Sequence, residues 1–415
     1  MRRECIDRFL GIPDHCVQGI YFLDKEGRET EADKQVHTVV VELLRTRRGF
    51  RCPCGQMYQR YYDVREQHVR DLPWGPWARV WLLVPRFRVD CERCGVKTEA
   101  LEWIGRGRTY TRRLAEAVAL ACREVRSIQA IADAFHLSWD TVRAIDKAAL
   151  ARELDPPKLE GLRHLALDEF SIRRRHTYGT IFLDVERNRV VWVCATREKA
   201  AVGAVFRDVF GPQICAGIEA VSMDWWEGYE AAVREWLPNA EVVWDLFHVI
   251  KKYNHEVVDR VRLQEAQRCQ TQQEQRVMKK TKFILLKNRA NLVADEPARL
   301  RELLAVNRRL FVVYVLRDAL KKLWDYTYAK WAAQWFAGWY QRAIHSQIEP
   351  LKRFARSLKK RLRGVLAHCR HPINSGVLEG INNKVKVIKR IAYGYRDHQY
   401  FFLKIRGHFT GVDPL

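Results

Sequence analysis

Three acidic side chains in this 415-residue chain stand where a divalent metal ion could use them: Asp168, Asp224 and Glu379. Asp168 closes the short apolar run of RHLALDEF (163–170), and Asp224 closes IEAVSMD (218–224). Glu379 heads the segment SGVLEGINNKVKVIKRIAYGYR (375–396), which then carries Lys384, Lys386, Lys389, Arg390 and Arg396. Between residues 351 and 390 there are twelve Lys or Arg, and Glu379 is the one acid among them. A lone carboxylate in such a field suits a group that binds a metal while its surroundings hold a polyanion. Carboxylates from adjacent strand ends, with one more from a packed helix, can hold two divalent ions about 4 Å apart. One ion would then activate an attacking water or 3′-hydroxyl, and the other would stabilise the leaving oxygen. Hard oxygen ligands and an open site favour Mg(II) or Mn(II). Each acid has a plainer explanation, since Asp is a common turn residue and a first-turn Glu suits the helix dipole. Asp184 is read in that plainer way, and the order of the surrounding elements must decide the others.

A second set of ligand types lies near the start. RCPCG supplies Cys52 and Cys54, and CERCG supplies Cys91 and Cys94. Two close pairs a few dozen residues apart suit a tetrahedral Zn(II) site, and Gly55 and Gly95 let each backbone turn back toward the metal. The first pair is C-x-C, one residue short of the usual spacing, and His68 could replace one ligand. The expected role is structural. Eleven cysteines at irregular spacing do not read as a disulfide framework.

The charge balance narrows the partner. A formal net charge of +23 is spread through segments that otherwise look folded. Phosphate backbones are the usual partner of such a field. No apolar run of about 18 residues offers a membrane span, and MRRECIDRFLGIPDHC lacks the apolar core of a secretory signal. Double-stranded DNA is the expected partner, with no membrane, in a reducing cytoplasm.

The elements that would position these residues can be read from periodicity. VHTVVVELL (36–44) and VWLLVPRFRV (80–89) read as strands around the cysteine pairs. Residues 110–150 lack Gly and Pro, and SIQAIADAFHLSWDTVRAID reads as helix, turn at His136–Ser138, and second helix. Ser138 could cap that second helix, and Ser138, Thr141 and Arg143 are its candidates for DNA contact. ARELDPPKLEG (151–161) punctuates as a linker. RHLALDEF, TYGTIFLDVE (177–186) and NRVVWVCATR (188–197) then form an antiparallel meander. KAAVGAVFRDVF (199–210) is helical, IEAVSMD a strand, WWEGYEAAVREWL (225–237) helical, and EVVWDLFHV (241–249) a fifth strand. This order matches the ribonuclease-H-like architecture, in which acids from the first and fourth strands meet at one sheet edge.

Asp224 and Glu379 are 155 residues apart, and residues 244–337 hold a single proline, Pro297, and no glycine. Residues 257–292 and a second stretch from Ala298 toward Arg342 read as helices of an all-α insertion. Trp324, Trp331, Trp335 and Trp339, spaced seven, four and four, would share one helix face, and core packing is favoured over stacking on an unpaired base. LKRFARSLKKRLRG (351–364) reads as a phosphate-tracking face. Lys384, Lys386, Lys389 and Arg390 extend it beside Glu379, where Leu378, Ile381, Val385 and Ile388 mark the buried face of the helix. FFLKIRGHF (401–409) is apolar enough to dock on the core. The expected fold is a multidomain α/β chain. It comprises a zinc-binding module (1–105), a helix-turn-helix domain (106–155), a ribonuclease-H-like core (160–250 and 371–415) and an all-α insertion (251–370).

These motifs, in this order, resemble the bacterial insertion-sequence transposases of the DDE type, and most of all the ISL3 family. The resemblance rests on the two cysteine pairs, AIADAFHLSWDTV, LALDEF, VSMDWWEGYEAAV, WDLFHVIK and SGVLEGINNKVKVIKRIAYGYRDHQYF, which together span nearly the whole chain. It implies a catalytic triad at Asp168, Asp224 and Glu379. WDLFH resembles the D-x-x-H signature of related transposases, which would place Asp245 and His248 as active-site support. The implied activity is recognition of terminal inverted repeats, followed by metal-dependent strand cleavage and strand transfer into target DNA. Such an enzyme would work as a homodimer or larger synaptic assembly at the bacterial nucleoid. The alternatives are a non-catalytic DNA-binding regulator derived from a transposase and, further off, a nuclease without strand transfer.

Overall fold

The computed structural model describes residues 3–31, 36–74, 79–105, 107–124, 126–173, 177–272, 281–287, 292–293, 296–373 and 376–411. The chain divides into two compact units, one of Met1–Asp155 with Ile388–Arg396, the other of Pro156–Val387 with Asp397–Leu415.

The first unit opens with α1 (Arg3–Leu10) and β1 (His15–Leu23), followed by β2 (Glu29–Thr30), β3 (Thr38–Arg45), β4 (Phe50–Arg51) and β5 (Met57–Tyr58). It continues with β6 (Asp63–Asp71), β7 (Arg79–Cys91) and β8 (Gly95–Thr98). The main sheet runs β2-β1-β3-β7-β6, with β8 also on β7. Alternation along β3 and β7 buries Val39, Val41, Leu43, Val80, Leu82 and Val84 on one face, where α1 contributes Ile6 and Leu10. Residues 1–35 carry no clear strand period in the sequence, yet β1 lies among them. β1 escapes notice because an irregularity between Val17 and Gly19 breaks its alternation.

Three helices complete this unit: α2 (Arg112–Ala121), α3 (Ile128–Phe135) and α4 (Trp139–Leu154). The turn between α3 and α4 falls where the sequence placed it. His136 takes a left-handed conformation (φ 49°), and the Leu137 N–H donates back to the Ala132 carbonyl at 2.9 Å. Leu114, Val118, Ile131, Ala132, Val142 and Ile145 form the core of the three. Asp71, fully buried at the end of β6, accepts from the Thr111 hydroxyl (2.7 Å) and from Arg113 Nε (2.8 Å). That network ties the sheet to α2.

The second unit is built on a five-stranded sheet of order β11-β10-β9-β12-β13. Its strands are β9 (His164–Arg173), β10 (Thr177–Asp184), β11 (Arg189–Cys194), β12 (Ala220–Met223) and β13 (Glu241–Trp244). The first three are antiparallel, and β12 is parallel to both β9 and β13. One face, with Leu165, Leu167, Phe182 and Val221, packs on helices that include α5 (Lys199–Ala204), the π-helical turn Val205–Phe210, α6 (Gly211–Gly217) and α7 (Glu227–Trp236). On the other face, Phe170 meets Phe401 of the C-terminal helix His398–His408 at 6.0 Å between rings. The docking of FFLKIRGHF is thereby seen.

Some expectations need correction. The strand expected over 241–249 stops at Trp244, and the chain enters a helix at Leu246. Asp168 does not end its strand: β9 continues to Arg173, because β10 pairs with it along that whole length. The tryptophans do not share one helix face. Trp331, Trp335 and Trp339 lie on helix Ala329–Ile344, but Trp324 lies in a separate 3-10 turn, Lys322–Asp325. Trp335 and Trp339 are core residues whose indole N–H groups donate to the carbonyls of Ala319 and Leu316. The described elements between β13 and the Glu379 helix (Gly376–Ile391) are helical. Within the helical reading of 257–292, residues 273–280 and 288–291 lie outside the described residues, as does Ser375 before the Glu379 helix.

Candidate functional site

The register of the second sheet places three carboxylates side by side. Leu167, Met223 and Trp244 are cross-strand neighbours at the last paired position of β9, β12 and β13. The next residue on each strand is an aspartate: Asp168, Asp224 and Asp245. The chain turns into α8 (Leu246–Tyr253) at Asp245, whose carboxylate caps that helix by accepting the Phe247 N–H at 3.0 Å. The first turn of α8 then brings His248 back among all three acids. Its Nδ1 is 3.1 Å from Asp224 Oδ1, and its Nε2 is 3.7 Å from Asp168 Oδ1 and 3.6 Å from Asp245 Oδ2.

Environment separates these groups. Asp168 is buried, which lifts its carboxyl to about 6, despite the pull of His248 and the Glu169 N–H that donates to it at 2.8 Å. Burial also acts on Asp224, but His248 and the Trp225 N–H hold that carboxyl below its ordinary value. Burial alone would lower His248, yet Asp224 first, then Asp168 and Asp245, carry it above its ordinary value. The result is one carboxyl held below its ordinary range, one pushed above it, and between them an imidazole shifted toward its protonated form.

The Glu379 helix approaches the same edge. Leu378, Ile381, Val385 and Ile388 are all buried, as the periodicity predicted. Asn382, one turn after Glu379, donates its Nδ2 to Asp168 Oδ2 at 2.7 Å. Its Oδ1 is buried without a hydrogen-bond partner. Glu379 itself is exposed, three residues before the amide that touches Asp168. Thus Asp168, Asp224, Asp245 and His248 come together, while Glu379 reaches them only through its helix. Asn382 was missed by sequence reasoning, although its spacing of three from Glu379 puts both on one helical face. Trp225, next to Asp224, was missed as well: it stacks on Trp244 at 6.1 Å, and Lys252 and Arg361 each lie over its ring.

The four cysteines converge at the tips of two hairpins, β4–β5 and β7–β8. The Sγ atoms of Cys52, Cys54, Cys91 and Cys94 lie within 4.8 Å of one another, a set that could hold a metal ion. Gly55 (φ 97°) and Gly95 (φ 66°) make the turns. Cys54 and Cys91 are 3.7 Å apart, close to the ~3.8 Å edge of a tetrahedron with Zn–S bonds near 2.3 Å. The short C-x-C pair therefore does not prevent convergence. His68 is elsewhere, packed edge-on to Trp81 in the main sheet.

On α4, Ser138 is the N-cap, its hydroxyl accepting the Thr141 N–H at 3.2 Å. Thr141 and Arg143 are half-buried, with the Arg143 guanidinium over Trp139 at 5.6 Å. Lys384, Lys386 and Arg390 are exposed on the Glu379 helix, and Lys389 is half-buried. Among the described residues no helix is long and apolar enough to cross a membrane.

Comparison with known proteins agrees with these observations. A family model described as "Transposase", of the DDE type and ISL3 group, matches residues 165–405. A second, described as "Helix-turn-helix domain of transposase family ISL3", matches residues 99–150. The chain is 42% identical to the transposase for insertion sequence element IS1001 of Bordetella parapertussis, over 90% of this chain and 92% of that protein. It is 26% identical to the transposase for insertion sequence element IS1557 of Mycobacterium tuberculosis, over 89% of each. With its helix-turn-helix, its sheet-edge acids and these relatives, the chain belongs to the ISL3 family of transposases.

Proposed function

We propose that this protein is a DNA transposase that binds the terminal inverted repeats of an insertion sequence and carries out cleavage and strand transfer at Asp168, Asp224 and Glu379. The observation that carries the reading is the alignment of Asp168, Asp224 and Asp245 at one sheet edge around His248. The strand order β11-β10-β9-β12-β13 is that expected of a ribonuclease-H-like core, with the helices after β13 as its insertion. Domain limits near 105, 155, 250 and 370 go with that reading.

The donor set fits a hard divalent cation. Two carboxylates, the orphan Asn382 oxygen and Glu379, one helical turn before that amide, offer oxygen alone, which suits Mg(II) or Mn(II). Such ions would supply activation of the attacking oxygen and neutralisation of the leaving one. The chain's own residues prepare for this. Asn382 fixes the Asp168 carboxylate, His248 holds Asp224 ionised, and Asp245 anchors the helix that presents His248. In cleavage, water attacks the phosphodiester in line, its oxygen stays on phosphorus, and a 3′-hydroxyl leaves. In transfer, that 3′-hydroxyl attacks a target phosphodiester and displaces the target strand's own 3′-oxygen. Ser138, Thr141 and Arg143 on α4 would contact the repeats, with Ser138 chiefly holding the helix end. Lys384, Lys386, Lys389 and Arg390 would hold phosphates near the acids. The four thiols fit structural Zn(II). Joining two ends calls for a dimer or larger assembly, at work on the bacterial nucleoid.

The test compares the protein with Asp168→Asn on end-bearing duplex DNA with Mg(II) or Mn(II). Equal binding, with nicked and joined products lost only in the variant, is expected. Binding without cleavage by either protein would instead point to a DNA-binding regulator.

A further inference from the structure

Two of the sheet-edge acids, Asp168 and Asp224, have neighbours in sequence that meet on one side chain, Arg197, which follows β11. Its guanidinium lies over the ring of Tyr178 at 4.9 Å and over that of Trp226 at 4.1 Å. Tyr178 belongs to β10. Trp226 stands two residues after Asp224, and its N–H donates to the Asp224 carbonyl at 2.7 Å. Arg197 also donates through Nη1 to the carboxylate of Glu169, the residue that follows Asp168. Two aromatic faces therefore fix the plane of the guanidinium, and one carboxylate fixes its rotation within that plane. Gly228, in the first turn of α7, leaves room for this arrangement. A Cβ there would lie 2.7 Å from Trp226 Nε1 and 3.3 Å from the Arg197 carbonyl oxygen.

The clamped guanidinium still has donors to offer. It carries five N–H groups, and Glu169 is its one hydrogen-bond partner among the described residues. The side chain is 32% exposed and none of its nitrogens is buried unpaired, so the remaining donors face solvent. With both faces covered, the charge is presented along the edge, the geometry that meets a phosphate through two N–H groups at once. Pairing with Arg197 also cancels the Glu169 charge, which would otherwise stand beside Asp168 and repel an incoming phosphate.

We propose that Arg197 grips one DNA phosphate beside the phosphodiester being cut, and so sets that bond in register with Asp168 and Asp224. Glu169 and Trp226 lie one and two residues beyond those acids, at most about 7 Å of chain. That span corresponds to about two nucleotides of strand at a rise of ~3.4 Å each. A lysine on a free stem attracts DNA from many directions, whereas a fork held on three sides selects one phosphate in one orientation. The two rings serve the arginine and not a base. The proposal rests on the transposase reading above.

The test walks a single methylphosphonate, a neutral replacement for phosphate, along both strands of an end-bearing duplex on either side of the cut bond. Affinity and Mg(II)-dependent cleavage are measured for the full-length protein, for Arg197→Gln and for Arg197→Lys. In the unchanged protein, one position within about two nucleotides of the cut should lower cleavage about tenfold, the share of a charge-assisted contact. Arg197→Gln should show a loss of similar size on native DNA and no further loss, within about twofold, at that position. Every other sensitive position should keep its effect. Arg197→Lys keeps the charge beside Glu169 without the fork, so it should retain a reduced dependence at the same position, and it carries the test if the Gln variant does not fold. An activity that falls evenly with the pattern of sensitive positions unchanged in the variants, or no sensitive position near the cut, would overturn the proposal alone. A protein that neither binds nor cleaves the ends would overturn the transposase reading and this proposal with it.

Discussion

Asp168, the first acid of the proposed triad, is a carboxyl buried at the expense of stability. Burial holds its carboxyl at about 6, against 3.8 in the open. The folded protein therefore binds this proton more tightly than the unfolded chain does. Between about pH 4 and 6 rising pH removes stability, and above pH 6 the full penalty stands. Asp168→Asn removes the charge and keeps a polar group for Asn382 to meet. In buffer lacking Mg(II) and Mn(II), the variant should melt higher at pH 8, by an amount on the order of 2–3 kcal/mol. The gain should shrink to a small fraction of that at pH 4, where the folded carboxyl is protonated and little of the burial penalty remains. Thermal melts of both proteins across that range decide it, and an equal or lower melting point at pH 8 would show that the acid is not strained by burial. A gain in stability coupled to lost activity is the usual mark of a site selected for function.

At the scale of elements, the basic helix Glu349–Lys360 and the short helix after it are held against the sheet by a close approach at Gly364. A Cβ added there would sit 2.6 Å from Trp244 Nε1 and 2.9 Å from the Val242 carbonyl oxygen. Neither atom can move cheaply, since one belongs to a packed ring and the other to the backbone of β13. Gly364→Ala should cost about 1–3 kcal/mol, read as a lower denaturation midpoint, and should disturb the strand that leads into Asp245. An unchanged midpoint would mean that the two elements separate readily. The same elements show what the sequence could disclose. The period of the Glu379 helix, the α3–α4 turn and the order of the five strands depend on local patterning, and each was legible. The exact neighbour relations were not, because register is set by pairing between distant segments. For that reason Asp168 was taken for a strand end, although β10 carries β9 onward to Arg173. For the same reason Asn382 was invisible, since nothing local marks one amide as the partner of an acid 214 residues away. The tryptophan spacing misled because the 3-10 turn at Lys322–Asp325 interrupts the period that the sequence alone continues.

Taken whole, the protein carries a formal charge of +23, and its helix Glu349–Lys360 shows how that charge is arranged. Leu351, Phe354, Ala355 and Leu358 are buried on one side, while Arg353, Arg356, Lys359 and Lys360 are exposed on the other. Burial of the apolar side fixes the direction in which the charges point, so they form a face and not a loose cloud. If that face tracks a DNA backbone, each contacted phosphate releases condensed counterions, and the logarithm of affinity falls with the logarithm of salt by about 0.9 per contact. Replacing Arg353, Lys360 and the nearby exposed Arg363 by Gln keeps helix-compatible stems and removes three charges. The slope should then become less steep by up to ~2.7. Preference for end-bearing over random DNA should stay unchanged, because phosphate contacts position the duplex without reading its sequence. Binding isotherms over a salt series, on both kinds of DNA, measure the two quantities together. An unaltered slope would make this helix an ordinary solvated face. A changed preference would mean instead that these residues touch base edges.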